Sequence, residues 1–266
     1  MFSLFPSRTV ALIILGFPVH WYGLLYVFAF LIAWALLPML QKYRHLSLSN
    51  DDWSFILSGA VIGVLAGGRL GYVLFYAPEY FFMHPFQIFA VWNGGMSSHG
   101  GFIGVGIALL VVSRMKRIPL LTLLDVIVVP AAIGLACGRV GNFINQELYG
   151  IPTSLPWGIA IPGIEGLRHP TQIYAVIKDL FIAGVCFLHL RRSRDTSPGG
   201  TFALFLILYG ALRFLMEYLR VQDYSGITLG VVTLTRGQLL TIPLIIVGMG
   251  ITFWRKSSAK TVLEHN

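Results

Sequence analysis

Apolar runs of about twenty residues recur along the whole chain, and they restrict its fold more than any other feature. A helical run of this length covers the roughly 30 Å of hydrocarbon in a bilayer. Only 11% of the 266 residues are charged and the mean hydropathy is +0.76, whereas soluble domains carry roughly 25% charged residues. The sequence therefore predicts an all-α polytopic membrane protein.

Seven runs are long enough to be transmembrane helices. They are Tyr22–Leu40, Trp53–Tyr76, Met96–Val112, Leu120–Gly141, Thr171–Leu190, Thr201–Leu219 and Gln238–Trp254. The preceding stretch, Thr9–Val19, is apolar but short and has no small-residue cleavage site, so we expect an interfacial or re-entrant lead-in to the first helix. With no internal repeat in view, residues 1–266 are expected to form a single membrane-embedded domain.

The basic residues indicate the topology. Eleven of the 19 Lys and Arg fall in four clusters, each after an odd-numbered run: Lys42/Arg44, Arg114/Lys116/Arg117, Arg191/Arg192/Arg194 and Arg255/Lys256/Lys260. The positive-inside rule places these clusters in the cytoplasm and the N-terminus outside. The net charge of +8 therefore predicts no nucleic-acid partner. Segments 77–98 and 145–170 are expected to form a small extracytoplasmic head.

Charged side chains within the apolar runs predict a functional site, because each costs roughly 2.5–3.5 kcal/mol at the bilayer centre. Arg213, Glu217 and Arg220 share one helix face at positions i, i+4 and i+7. Two cations around one anion leave a positive stripe suited to a phosphate group. A structural salt bridge is the alternative interpretation.

Other ionisable residues favour function less clearly. A structural ion pair explains the adjacent Lys178 and Asp179 at least as well as a functional role. Asp125 lies near a cytoplasmic end and is expected to be structural. The two cysteines, Cys137 and Cys186, lie within apolar runs and are expected to be packing residues.

The segment 138–150 combines glycines with several polar groups. Glycines flank Arg139 and would let another backbone or a lipid headgroup come close. The polar groups that follow are Asn142, Asn145 and Glu147. A glycine packing pair with a polar end cap does not account for all four polar residues together.

His99 and Arg69 lie in two further glycine-rich segments. Five glycines surround His99, and an imidazole that titrates near neutral pH would suit proton transfer. Arg69 shares a helix face with Tyr72 and Tyr76, and structural and functional interpretations are equally good there.

Six blocks of sequence occur in order along the chain. They are HisTrpTyrGly at 20–23, GlyGlyArg-x-GlyTyr at 67–72, GlyGlyMetSer-x-HisGlyGly at 94–101, GlyArg-x-GlyAsnPheIleAsn at 138–145, ArgHisPro-x-Gln-x-Tyr at 168–174 and TyrGly-x-x-Arg-x-x-x-Glu at 209–217. Together they resemble the prolipoprotein diacylglyceryl transferase family from His20 to about Trp254. The block at 138–145 is similar to that family's signature.

The resemblance implies a seven-helix enzyme of the bacterial inner membrane. It would transfer the diacylglyceryl group of phosphatidylglycerol to the lipobox cysteine of a prolipoprotein signal peptide, the first step of lipoprotein maturation. The residues expected to be catalytic are Tyr22, His99, Arg139 and Arg213. Those expected to bind substrate are Arg69, Asn142, Asn145, Glu147, Gly150, Glu217 and Arg220. No metal or cofactor is expected, because the sequence has no clustered ligand set, and membrane lipids are the other expected partners.

The implied chemistry explains these residue types. A cysteine thiolate would attack the glycerol carbon that bears the phosphate, form a thioether and expel glycerol phosphate. His99 is the candidate for moving the thiol proton, with an arginine-supported hydroxyl as the alternative. Arg139 and Arg213 would hold the departing phosphate.

Two other functions fit the composition less well. A transporter of an anionic solute would also use intramembrane arginines, but transporters often show internal repeats. A retinal receptor would need a lysine in its last helix, and Gln238–Trp254 has none. The chain also departs from the family pattern at Asn93, Ser98 and Ala175, where Asp, Phe and Glu are usual, so no role is expected for a carboxylate at 93 or 175.

Overall fold

A computed structural model describes residues 2–4, 7–194, 197–221, 227–229 and 232–264. The chain divides into two compact units, a larger one of Met1–His45 with Leu124–Asn266 and a smaller one of Leu46–Leu123. The α-helices in the described residues are α1 (Trp21–Leu40), α2 (Asn50–Phe75), α3 (Pro78–Met83), α4 (Ser98–Met115), α5 (Leu120–Asn145), α6 (Thr171–Arg192), α7 (Gly200–Met216) and α8 (Arg236–Glu264).

Six helical stretches of the described chain are long and apolar enough to cross a membrane. They are Trp21–Arg44, Asn50–Phe75, Leu120–Asn145, Thr171–Arg192, Gly200–Leu219 and Arg236–Ser257. The prediction of a helical polytopic membrane protein is confirmed. The remaining predicted run corresponds to α4, whose apolar part His99–Met115 is shorter, so the seventh crossing stays a prediction.

Local signals explain where α2 and α5 differ from their predicted bounds. The Ser49 hydroxyl accepts a hydrogen bond from the Asp52 backbone N–H at 3.1 Å, and the Asp52 carboxylate accepts one from the Ser49 backbone N–H at 3.1 Å. This capping box starts α2 at Asn50, three residues before the apolar run begins. In the larger unit, α5 continues past Gly141 to Asn145, which puts the polar end of the 138–145 block on the last turn of the helix.

The short β-strands were not predicted. Strands β1 (Phe2–Leu4), β2 (Val10–Ile14) and β3 (Phe17–His20) form an antiparallel sheet in that order. Leu15 and Gly16 join β2 to β3 with φ of +50° and +89°, the backbone of a two-residue hairpin turn. The stretch Thr9–Val19, expected as an interfacial or re-entrant lead-in, is therefore a β-hairpin.

Two further strand pairs and isolated bridges lie later in the described chain. Strands β4 (Ile159–Ala160) and β5 (Leu167–Arg168) pair in the extracytoplasmic segment predicted at 145–170, and β6 (Ile227–Leu229) pairs with β7 (Val232–Leu234) before α8. An isolated antiparallel bridge also joins Gly150 to Arg220.

In the smaller unit, α2 packs against α4 through glycines. A Cβ added at Gly63 would lie 2.6 Å from the Gly104 carbonyl oxygen, and one at Gly71 would lie 2.8 Å from the Gly100 Cα. Glycines spaced four apart on two facing helices let the backbones come this close. Two of the five glycines around His99 therefore serve helix packing.

In the larger unit, Arg44 and Asp125 form a buried cluster at the basic ends of the helices. Arg44 Nε donates to Asp125 Oδ2 at 2.7 Å, and the same carboxylate accepts from the backbone N–H groups of Gly199 and Phe202, each at 2.8 Å. Arg44 also donates to the Ser193 carbonyl oxygen at 2.7 Å. These contacts join α5 to the ends of α6 and α7, so Asp125 has the structural role expected for it.

Candidate active site

Four cationic side chains line one open pocket in the larger unit. Its lining residues are Arg139, Leu148, Thr171, Gln172, Ala175, Lys178, Arg213, Met216 and Arg220. Leu148 and Arg220 follow the ends of α5 and α7, and the other lining residues come from the last turns of α5, the first two turns of α6 and the end of α7, so three helix ends meet at the pocket.

Arg213, Glu217 and Arg220 form the predicted charged stripe. Glu217 Oε2 accepts a hydrogen bond from Arg213 Nη1, and Arg220 Nη1 lies 3.4 Å from the same oxygen. Glu217 is only 5% exposed, and the Thr235 hydroxyl donates to its Oε1 at 3.3 Å. A Cβ at Gly237 would collide with this carboxylate. The Glu217 carboxylate can therefore occupy its position because residue 237 has no side chain.

The positive charge of this stripe affects Arg220 itself. Burial, and then the neighbouring Arg213 cation, lower the pKa of the Arg220 guanidinium from its ordinary value. Like charges held together in a poorly solvated place are relieved by an added anion. Arg139 faces the same pocket from α5, so a phosphate group there would meet three guanidinium groups.

A polar network connects the signature segment to α1. Asn142 Nδ2 donates to Tyr22 Oη, and Tyr22 Oη donates to Glu147 Oε2 at 3.0 Å. Arg139 Nη1 in turn donates to Asn142 Oδ1 at 3.3 Å. A Cβ at Gly141 would lie 2.8 Å from the Tyr22 ring. The second glycine of the signature therefore makes room for the tyrosine, and the network orients Arg139 at the pocket.

Backbone geometry places Glu147 within this network. The Glu147 N–H donates to the Asn142 carbonyl oxygen at 2.9 Å, and the residues on either side of Glu147, Gln146 and Leu148, have φ of +59° and +56°. Asn145 Nδ2 also donates to Glu147 Oε1, at 3.1 Å. The turn that ends α5 thus points the carboxylate back towards α1.

Gly150 fits tightly against the end of α7. Its N–H donates to the His169 carbonyl oxygen at 2.9 Å, and the N–H of Ile151 donates to the Leu219 carbonyl oxygen at 3.0 Å. A Cβ at Gly150 would lie 2.5 Å from that Leu219 oxygen. In this arrangement Gly150 holds the backbone next to Arg220 in place and contributes no side chain to the pocket.

The sequence left the role of Lys178 open and did not single out Gln172, yet both residues line the pocket. Lys178 is 8% exposed, is paired with Asp179, and lies with its Nζ 4.3 Å from the centre of the Tyr209 ring. Gln172 Nε2 donates to the Glu147 carbonyl oxygen at 2.6 Å. The signal that could have indicated Lys178 is helical spacing, because positions 171, 175 and 178 lie on one face of α6, directly after the block at 168–174.

Arg69 in the smaller unit holds a loop. Its five N–H groups donate to five carbonyl oxygens at 2.5–3.1 Å, those of Gln87, Ile88, Ala90, Gly94 and Gly95. Its guanidinium carbon also lies 5.0 Å from the centre of the Phe81 ring. Each donor of this described side chain has a backbone acceptor, so Arg69 has a structural role here, and the expectation that it binds substrate stays a prediction.

His99 lies in the first turn of α4 in the smaller unit, where it is exposed. The Ser97 hydroxyl accepts from the Gly100 N–H at 3.2 Å and starts the helix just before it. Two of the departures from the family pattern, Asn93 and Ser98, have side chains outside the described part of the structure. The third, Ala175, lines the pocket and brings no carboxylate to it.

Comparison with known proteins identifies the family. A family model described as "Prolipoprotein diacylglyceryl transferase" matches residues 9–254. The chain belongs to the prolipoprotein diacylglyceryl transferase family. Curated relatives named phosphatidylglycerol–prolipoprotein diacylglyceryl transferase include one from Geobacter sulfurreducens, 41% identical over 86% of this chain and 88% of the relative. Another, from Bordetella parapertussis, is 41% identical over 91% of this chain and 93% of the relative.

As a member of this transferase family, the chain has most of its predicted site in the larger unit. The predicted residues joined there by the pocket, its ion pairs or its hydrogen bonds are Tyr22, Arg139, Asn142, Asn145, Glu147, Gly150, Arg213, Glu217 and Arg220. Only Arg69 and His99 belong to the smaller unit. The catalytic and binding roles of all these residues stay predictions.

Proposed function

We propose that this protein transfers the diacylglyceryl group of phosphatidylglycerol to the lipobox cysteine of a prolipoprotein and releases glycerol phosphate. The observation that carries the proposal is the pocket lined by Arg139, Lys178, Arg213 and Arg220 in a chain of this family. Relatives that cover most of the chain bear the name of this activity.

The charges around the pocket suit a lipid phosphodiester. Its four cations face two buried carboxylates, those of Asp179 and Glu217, so the surroundings keep a positive excess for one bound anion. Guanidinium groups bind phosphate oxygens in pairs and stabilise the extra charge that forms as the phosphate leaves. Arg139 and Arg213 hold the phosphate in this mechanism, and Arg220 adds a third cation beside it.

The reaction is a substitution at carbon. The cysteine sulfur, as a thiolate, forms a bond to the glycerol carbon of the lipid, and the bond from that carbon to the phosphate oxygen breaks. Glycerol phosphate leaves with the electron pair, and the thiol proton goes to a base. His99 remains the candidate for this base that the sequence offers. Asn142, Glu147 and Tyr22 orient Arg139 through their hydrogen-bond network.

We place the protein in the bacterial inner membrane with the N-terminus outside and seven crossings. Six of these crossings are the long apolar helices, and the shorter α4 is the additional one. The distribution of charge supports this topology. The pocket lies at the start of α6, while the basic residues Arg191 and Arg192 lie at its other end. By the positive-inside rule the basic end is cytoplasmic, so the pocket opens on the extracytoplasmic side.

Lipidation of a synthetic peptide tests the function. Purified protein in detergent is mixed with phosphatidylglycerol and a lipobox peptide, and mass spectrometry follows the thioether-linked peptide while an enzymatic assay follows glycerol phosphate. We expect both products in equal amounts, and neither with a peptide whose cysteine is replaced by serine. Folded protein that forms neither product from the cysteine peptide would contradict the proposed function.

A further inference from the structure

Gln172 has a buried acceptor with no partner. The residue is 2% exposed and lines the cationic pocket at the start of α6. Its Nε2 donates to the Glu147 carbonyl oxygen at 2.6 Å, but its Oε1 has no hydrogen-bond partner among the residues that the structure describes. A buried amide oxygen left without a donor is unfavourable, so Oε1 of this pocket-lining residue is available to a ligand that donates a hydrogen bond.

The orientation of the Gln172 amide is set by its neighbour. Exchanging its oxygen and nitrogen would bring Oε1 against the Glu147 carbonyl oxygen, and two acceptors repel each other at that distance. The oxygen therefore keeps its place. The charged side chains that line the pocket itself, Arg139, Lys178, Arg213 and Arg220, can only donate, and the Thr171 hydroxyl donates to the Leu148 carbonyl oxygen at 2.8 Å. Gln172 thus offers a neutral acceptor beside a phosphate-binding set of donors.

We propose that Gln172 Oε1 accepts a hydrogen bond from a hydroxyl of the lipid's glycerol headgroup and so selects phosphatidylglycerol. The inference rests on the proposed function. Phosphatidylglycerol has an anionic phosphodiester for the cations and, three and four bonds beyond its ester oxygen, neutral hydroxyl donors for the amide. An amine headgroup would also bring donors, but its positive charge would be repelled by four cations. A lipid with a bare phosphate has no headgroup hydroxyl.

A deoxy substrate isolates this hydrogen bond. Phosphatidylpropanol has the same phosphodiester and diacylglyceryl group but lacks both headgroup hydroxyls, and its leaving group differs little. A site built around a hydroxyl rejects the analogue without it, because the acceptor is then left buried and unpaired. We expect the kcat/KM of the unchanged protein to be roughly 10- to 100-fold lower for phosphatidylpropanol than for phosphatidylglycerol.

Two substitutions separate the oxygen from the nitrogen of Gln172. Both Gln172→Met and Gln172→Glu lose the donor to the Glu147 carbonyl oxygen, but only Gln172→Met loses the acceptor. Gln172→Met should act on the two lipids within about threefold of each other, whereas Gln172→Glu should keep the preference. The matched control is Gln238→Met, because Gln238 is 1% exposed and lies outside the pocket lining; this variant should discriminate like the unchanged protein.

The possible results distinguish failure of the Gln172 inference from failure of the proposed function. Equal kcat/KM values of the unchanged protein for the two lipids would overturn the inference. This comparison needs no variant, so it remains valid even if a variant fails to fold. A Gln172→Met protein that still prefers phosphatidylglycerol would also overturn it and leave Gln172 a structural residue. Failure of the proposed function is a different result: the unchanged, folded protein would then lipidate no peptide from phosphatidylglycerol at all.

Discussion

Replacing Arg213 by lysine separates a phosphate-binding guanidinium from a structural charge. Lysine keeps the positive charge near Glu217 but loses the planar pair of donors that binds two phosphate oxygens at once. A hydrogen bond to a charged group contributes about 1.5–3 kcal/mol, and each 1.36 kcal/mol of transition-state stabilisation is tenfold in rate. Arg213→Lys should therefore stay folded and lose roughly 10- to 150-fold in kcat/KM.

Alanine at the same position should cost both stability and activity. Glu217 is 5% exposed, and the ion pair that it would keep among the described residues is the longer one with Arg220, at 3.4 Å. Leaving a buried charge without its partner costs roughly 3–5 kcal/mol, and the remaining contacts with Arg220 and Thr235 favour the lower end. Arg213→Ala should therefore unfold earlier in detergent, and the double variant Arg213→Ala/Glu217→Ala should recover part of that stability without recovering activity.

Specific activity per folded protein decides between these interpretations. The peptide-lipidation assay gives the rate, and size-exclusion chromatography with thermal unfolding in detergent gives the folded amount. Arg191→Lys is the matched control, because Arg191 is an exposed arginine at the far end of α6 and should tolerate the change fully. Full activity in Arg213→Lys would refute the phosphate role and leave this arginine a structural partner of Glu217.

Three further predictions concern proton transfer, topology and the buried cluster at the basic helix ends. His99→Gln should lose roughly 10²-fold of turnover, the usual scale of acid–base catalysis, while phosphatidylglycerol binding measured by competition changes little; near-normal turnover would make His99 structural. A reporter active only in the cytoplasm should work when fused after Arg117 and stay silent after Glu165, and the opposite pattern would invert the topology. Arg44→Ala leaves Asp125 buried without its ion partner and should lower the free energy of unfolding by roughly 3–5 kcal/mol; unchanged melting in detergent would contradict that role.

Features that depend on near neighbours along the chain could be predicted from the sequence. Helix α6 begins at Thr171 as expected, and α7 begins within one residue of its predicted start, because the length of an apolar run is read directly from the chain. The Glu217 ion pairs with Arg213 and Arg220 were predictable for the same reason. Residues three or four apart lie close together along a helix, and Glu217 keeps both partners although α7 ends at Met216 and the backbone at Arg220 is extended.

Contacts between distant segments could not be predicted. Tyr22 reaches Glu147 across 125 positions, and Lys178 enters the pocket only because α6 packs with its first turns beside Arg139 and Arg213. The β-hairpin of β2 and β3 was missed because its apolar residues resemble the start of a membrane helix, and the two positive φ angles of its turn have only one glycine to indicate them.

The intramembrane arginines illustrate which properties the sequence determines and which depend on the tertiary structure. The sequence by itself determined that Arg69, Arg139 and Arg213 lie within apolar runs, where a charge needs partners. It could not determine which partners, because the cost of placing a guanidinium in a membrane is the same whether backbone carbonyls or a phosphate will compensate it. Tertiary structure made that decision: a loop folds over Arg69 and uses all five of its donors, while three helix ends leave Arg139 and Arg213 facing an open pocket.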